Sequence, residues 1–174
     1  MGRTELLVDG TNIAWAWPRS RPCLIRKDHA GAQRLLVTTA TQSALRSIYS
    51  QLTFVFDGPP PSSGPGSSTG VRVLYPDPGQ SADDRIVDLV AQAVHGGTAA
   101  VVATSDRGLR DLVRREGGST IGGDALIQKL DPRGTNVRGA GASPVSDREE
   151  KPGPSSRDTE AWLQRFSKKR RPAK

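Results

Sequence analysis

Four short apolar runs, each stopped by an acidic or turn residue, constrain the fold of this chain more than any other feature. Glu5-Leu6-Leu7-Val8 stops at Asp9-Gly10, and Thr53-Phe54-Val55-Phe56 stops at Asp57-Gly58. Val71 to Tyr75 stops at Pro76, and Ala99 to Ala103 runs into Thr104-Ser105-Asp106. Ser119-Thr120-Ile121 is a weaker fifth run. Short runs without apolar–polar alternation are the mark of strands buried on both faces.

Helical periodicity fills the gaps. Residues 30–50 carry Ala32, Leu35, Leu36, Ala40, Ala44, Leu45 and Ile48 at helical spacing, although Thr38, Thr39 and Thr41 are poor helix formers. Residues 82–95 place Ile86, Leu89, Val90 and Ala93 on one face. Residues 107–116 place Leu109, Leu112 and Val113 inward, with Arg107, Arg110, Arg114 and Arg115 outward. A last short helix is expected over 123–130. Strands alternating with helices predict an α/β domain with a mostly parallel, helix-flanked sheet. Its length suffices for a core that folds alone.

Charge divides the chain. Of 25 Lys+Arg and 18 Asp+Glu, for a net +7, residues 1–131 hold 14 against 13. The basic excess therefore belongs to residues 132–174. Residues 132–156 are rich in Gly, Pro, Ser and charge, and read as a disordered linker. Residues 157–174 form a basic amphipathic segment. Trp162 and Phe166 share a helical face with Leu163, and Lys168, Lys169, Arg170 and Arg171 come after them. It either docks on its own domain or anchors the protein to a partner or to RNA, with the basic run on phosphates. One cysteine and no signal-peptide pattern exclude a disulfide scaffold and a cysteine-based zinc site. No apolar run is long enough to span a bilayer. The expectation is a soluble cytoplasmic protein with no membrane partner.

The acids are placed with more discrimination than the bases. Asp9, Asp57 and Asp106 follow apolar runs, and Asp83-Asp84 opens the helix after the third strand. In a parallel sheet, ligands bind beyond the carboxyl ends of the strands. A helix cap explains any one of these aspartates. It explains the set poorly, because clustered like charges repel unless a cation neutralises them. Oxygen ligands without His or Cys favour Mg²⁺ or Mn²⁺, as one or two ions.

Leu6-Leu7-Val8-Asp9-Gly10-Thr11-Asn12, Val55-Phe56-Asp57-Gly58, Ser81-Ala82-Asp83-Asp84-Arg85-Ile86 and Thr104-Ser105-Asp106-Arg107 occur in that order. Together, over about residues 4–130, they resemble the NYN branch of the PIN-like nucleases, nearest the YacP-like bacterial endoribonucleases. The resemblance implies a three-layer, Rossmann-like α/β/α sandwich and metal-dependent endoribonuclease chemistry. It assigns catalytic roles to Asp9, Asn12, Asp83, Asp84, Ser105 and Asp106, and metal ligation to Asp9, Asp83, Asp84, Asp106 and Asp57, the last a strand-end acid less regularly catalytic in the family. Where that group often has a Glu three residues after the Thr-Ser-Asp acid, this chain has Leu109. The implied partner is RNA, single strands favoured. The tail offers a route to the ribosome or an RNA-processing complex, and homodimers are left open.

Between Trp15 and Lys27, aromatics and cations interleave: Trp15, Trp17, Arg19, Arg21, Arg26 and Lys27. Stacking plus phosphate neutralisation is what a single-strand track needs. The same tryptophans also suit closing the core, and one of the two is expected to be buried. Arg107 and Arg110 offer a second phosphate-facing surface beside Asp106. Gly58 to Gly70 is built only of Gly, Pro, Ser and Thr, and reads as a mobile loop at the mouth of the site. Cys23 has no His near it in sequence, so a thiol nucleophile is not expected. Val8-Asp9-Gly10-Thr11 also resembles the first motif of haloacid-dehalogenase phosphatases, but their nucleophilic Asp would fall at Leu7. A non-catalytic RNA-binding module and a flap-type DNA nuclease are the remaining alternatives.

Overall fold

A computed structural model describes residues 3–132. The chain begins with strand β1 (Thr4–Asp9), followed by helices α1 (Gly10–Ala16), α2 (Arg21–Ile25), α3 (His29–Gln42) and α4 (Leu45–Ile48). Strands β2 (Gln51–Val55) and β3 (Val71–Leu74) precede helix α5 (Ala82–His95) and strand β4 (Ala99–Ala103). Helix α6 (Arg107–Arg115), strand β5 (Ser119–Ile121) and helix α7 (Gly123–Leu130) complete it. The five strands form one sheet in the order β3-β2-β1-β4-β5, and every pairing is parallel.

Strand parity assigns side chains to two cores. Leu6, Val8, Phe54 and Phe56 face helices α1, α2, α3 and α7, packing against Ile13, Leu24, Leu36 and Leu126. Leu7, Val55 and Val102 face the other way, onto Ile86, Leu89 and Val90 of α5 and Leu109 and Val113 of α6. The result is the expected α/β/α sandwich. Because strand order reverses at β1, with β2 on one side and β4 on the other, the β1–β4 crevice lies at the sheet's switch point.

Two expectations change. The helical pattern over 30–50 breaks after Gln42, where Ser43 turns extended and its hydroxyl donates to the Ala40 carbonyl. Thr39 and Thr41 donate back to the Leu35 and Val37 carbonyls, and Ile48 ends 55% exposed, outside the core. Leu112, expected inward, is 41% exposed, because Leu109 and Val113 alone fill the face that α6 buries. The Gly58–Gly70 loop makes contacts of its own: Arg34 donates to the Ser63 carbonyl, and Val73 N donates to Ser67 Oγ. The linker and the segment with Trp162, Phe166, Lys168, Lys169, Arg170 and Arg171 lie outside the described residues. Among the described residues, no helix is long and apolar enough to cross a membrane.

Candidate active site

Asp9 ends β1 with 5% exposure and caps α1, its Oδ1 accepting from Asn12 N at 3.1 Å. Parity turns it toward the α5 face, as for Leu7. Its Oδ2 accepts from the buried Thr104 hydroxyl at 2.9 Å, and that hydroxyl accepts from Asp106 N at 3.0 Å. Asn12 completes the lacing, its Oδ1 accepting from Ser105 N at 3.1 Å. The ends of β1 and β4 are thus tied directly across the switch point.

Asp106 stands just past β4 and caps α6, its Oδ1 accepting from Leu109 N at 2.9 Å. Leu109 is buried, so the residue where the related group often carries Glu belongs to the core here. Asp83 sits in the first turn of α5. Asp84 beside it closes a capping box: its Oδ2 accepts from Ser81 N and Ser81 Oγ at 3.2 and 2.7 Å. Those bonds hold the Asp84 carboxyl below its ordinary range and engage it in starting the helix. Asp57 lies two residues past β2, its N donating to Thr11 Oγ1 at 2.9 Å.

The electrostatics connect these carboxylates. Burial pushes Asp9 up to about 6, against the pull of its Asn12 and Thr104 hydrogen bonds, and Asp83 and Asp57 push it further. Burial also raises Asp83, followed by the charges of Asp106, Asp57 and Asp84. Among the described residues, no cation offsets the charge of either group. Nor do any three described His, Cys, Asp or Glu side chains stand close enough to cage one ion. Such a cage is not what Mg²⁺ requires, since it keeps several waters and binds through one or two carboxylates plus substrate phosphate. In its chemistry the donor set fits a hard divalent cation: carboxylates in mutual repulsion, oxygen ligands only, with neutral Asn12 bonded to Asp9 and to the Ser105 backbone.

The expected nucleic-acid residues divide. Trp17 is buried and so has no face for a base; Arg19 covers it, 5.4 Å above the ring, and pairs with Asp131 at 3.2 Å. Arg21, Arg26 and Lys27 are exposed. Arg21 lies on α2, which starts with Pro22 in its first turn. Arg107 is exposed, but Arg110 folds back, donating through Nε to the Thr104 carbonyl at 3.2 Å. Trp15 remains half exposed and borders a cavity of about 400 Å³ with Thr11, His29, Gln33, Phe56 and Asp57. Sequence pattern pointed to neither Thr104, Gln33 nor this cavity. Only Thr104 left a signal, as the first residue of the Thr-Ser-Asp run.

The sequence profile of the YacP-like NYN domain matches residues 6–171, well beyond the 4–130 over which the motifs are legible. Two crystal structures of the Rae1 (YacP) protein from Bacillus subtilis are similar in fold. One, of a point variant, is 22% identical with a TM-score of 0.60, covering 79% of this chain and 86% of that one. The other is 24% identical with a TM-score of 0.57, covering 94% and 92%. No curated protein sequence matches the chain.

Proposed function

The chain belongs to the YacP-like NYN domain family, a nuclease-type family, and from that premise we propose that it is a divalent-metal-dependent endoribonuclease. One observation carries the reading: Asp9 and Asp83 are both held above the ordinary carboxylate range by burial and by neighbouring acids, with no cation among the described residues relieving them. Asp9, Asp83 and Asp106 would share Mg²⁺ or Mn²⁺, one or two carboxylates to an ion with water and substrate phosphate as the other ligands, with Asp57 adjoining and Asp84 supporting through its capping box. When bound, the ion supplies Lewis-acid polarisation of a phosphate oxygen and an activated water.

The remaining tasks fall to the chain itself. Thr104 fixes the Asp9 carboxylate and the Asp106 backbone through one hydroxyl, so the two acids cannot drift independently. Asn12 holds the Ser105 backbone, leaving the exposed Ser105 at the strand end to orient water or phosphate. Arg21, Arg26, Lys27 and Arg107 meet RNA phosphates, and Trp15 offers the exposed aromatic face. Single-stranded RNA is the favoured substrate. The basic tail is the natural link to a ribosome or an RNA-processing complex.

The test compares wild type with Asp9→Asn and Asp83→Asn on structured and unstructured RNA in Mn²⁺. Cleavage is expected only from wild type, and only without EDTA. Cleavage persisting in EDTA or in both variants overturns the metal mechanism. RNA affinity without any cleavage assigns the protein instead to RNA binding.

A further inference from the structure

The two tryptophans of the α1 region meet opposite fates: Trp17 is 1% exposed, whereas Trp15 keeps 48%. The exposed indole belongs to the wall of the 400 Å³ cavity, a volume in the range of pockets that enclose small planar ligands. The polar side chains on that wall are those of Thr11, His29, Gln33 and Asp57, and the Thr11 hydroxyl already accepts from Asp57 N at 2.9 Å. Asp57 brings a carboxylate, an acceptor only. Gln33 is 8% exposed and its Oε1 already accepts from the Tyr75 hydroxyl at 2.9 Å, so its amide NH₂ is what it has left for a ligand. One aromatic face beside an acceptor and a donor is the set that an unpaired base needs, since every base has a π-face and a hydrogen-bonding edge.

The cavity is also well placed. Asp9 pairs in register with Val55, and Asp57 comes two residues later, so the cavity wall and the buried carboxylate end adjacent strands. Asp57 lines the cavity and adjoins the carboxylate cluster, so a strand whose base entered the cavity would pass close to the carboxylates. We infer that the cavity is a base pocket, taking one unstacked nucleobase of the RNA strand, with Trp15 on its face and Asp57 and Gln33 at its edge. The inference rests on the RNA reading above, and names how that substrate is gripped.

A base-deletion scan tests it. A short single-stranded RNA and copies each lacking one base are measured for binding in EDTA and for cleavage in Mn²⁺, with wild type, Trp15→Ala and Trp15→Phe. Wild type should show one position where base removal weakens binding roughly tenfold, the size of one lost stacking contact. Trp15→Ala should erase that penalty and Trp15→Phe should keep most of it, with unchanged melting temperatures. A flat scan, or a penalty undiminished in Trp15→Ala, overturns the pocket, and cleavage of the intact RNA would then leave the nuclease reading standing. A positional penalty without cleavage keeps the pocket and overturns the nuclease. Neither binding nor cleavage overturns both.

Discussion

Asp9 holds its proton more tightly in the folded chain than in the unfolded one, its carboxyl being raised from 3.8 to about 6. The folded state therefore binds more protons between those values, and stability falls as pH rises through that window. At pH 7.5, well above the folded value, the buried charge is almost fully present. Asp9→Asn removes it, and should stabilise the metal-free protein at pH 7.5 by roughly 2 kcal/mol, about the shift converted at 1.36 kcal/mol per unit less some hydrogen-bond loss. The gain should vanish below pH 4, which urea melts at the two pH values would read. Thr104 is the second residue to probe. Thr104→Val removes a hydrogen bond that lowers Asp9 and strips Asp106 N of its acceptor. Asp9 should then titrate above 6 by NMR, with stability down by about 1–3 kcal/mol, and Thr104→Ser should restore both.

At the scale of elements, α1 starts where it does because Asp9 caps it and Gly10 lets it lie against β2. A Cβ on Gly10 would stand 2.5 Å from the Phe56 ring, which is itself buried. Gly10→Ala should therefore destabilise the protein by roughly 1–3 kcal/mol in thermal or urea melts, although alanine is the better helix former. This helix also marks the limit of what the sequence discloses. Alternation of apolar runs and helical faces was legible for α5, α6, α7 and the strands, most plainly for β1 and β2, whose apolar runs are buried almost throughout. The stretch from Trp15 to Lys27 offers no such pattern, so α2 goes unread, and nothing local says which indole turns inward. The acids were legible as strand-end residues. Asp9 and Asp106 each cap a helix and Asp84 completes the capping box of Ser81, a reading the sequence offered for any one acid but could not separate from ligation, because a cap and a ligand draw on the same residue type. Nor does any one-dimensional pattern reveal a cavity made from α1, α3 and the end of β2.

For the whole molecule, residues 1–131 are near neutral, and Asp9, Asp57, Asp83 and Asp106 gather at the carboxyl ends of the strands. A divalent ion that binds only the folded arrangement must stabilise it by mass action. Saturating Mn²⁺ should raise the melting temperature of wild type, by about 2.7 kcal/mol equivalent at a hundredfold excess over Kd. Asp9→Asn and Asp83→Asn should show little or no shift by differential scanning fluorimetry, and equal shifts in all three proteins would place the ion elsewhere. Binding to RNA should weaken steeply with salt in proportion to the phosphates met by arginine and lysine.

The strand order carries a consequence for the life of the chain during synthesis. The hydrogen bonds that join Asp9 to Thr104 and Asn12 to Ser105 span 95 and 93 residues. β1 emerges first yet sits in the middle of the sheet, waiting for β4 to arrive on its other side. A nascent chain that has not yet delivered Thr104 and Asp106 holds its acids apart, without the hydroxyl that fixes the Asp9 carboxylate.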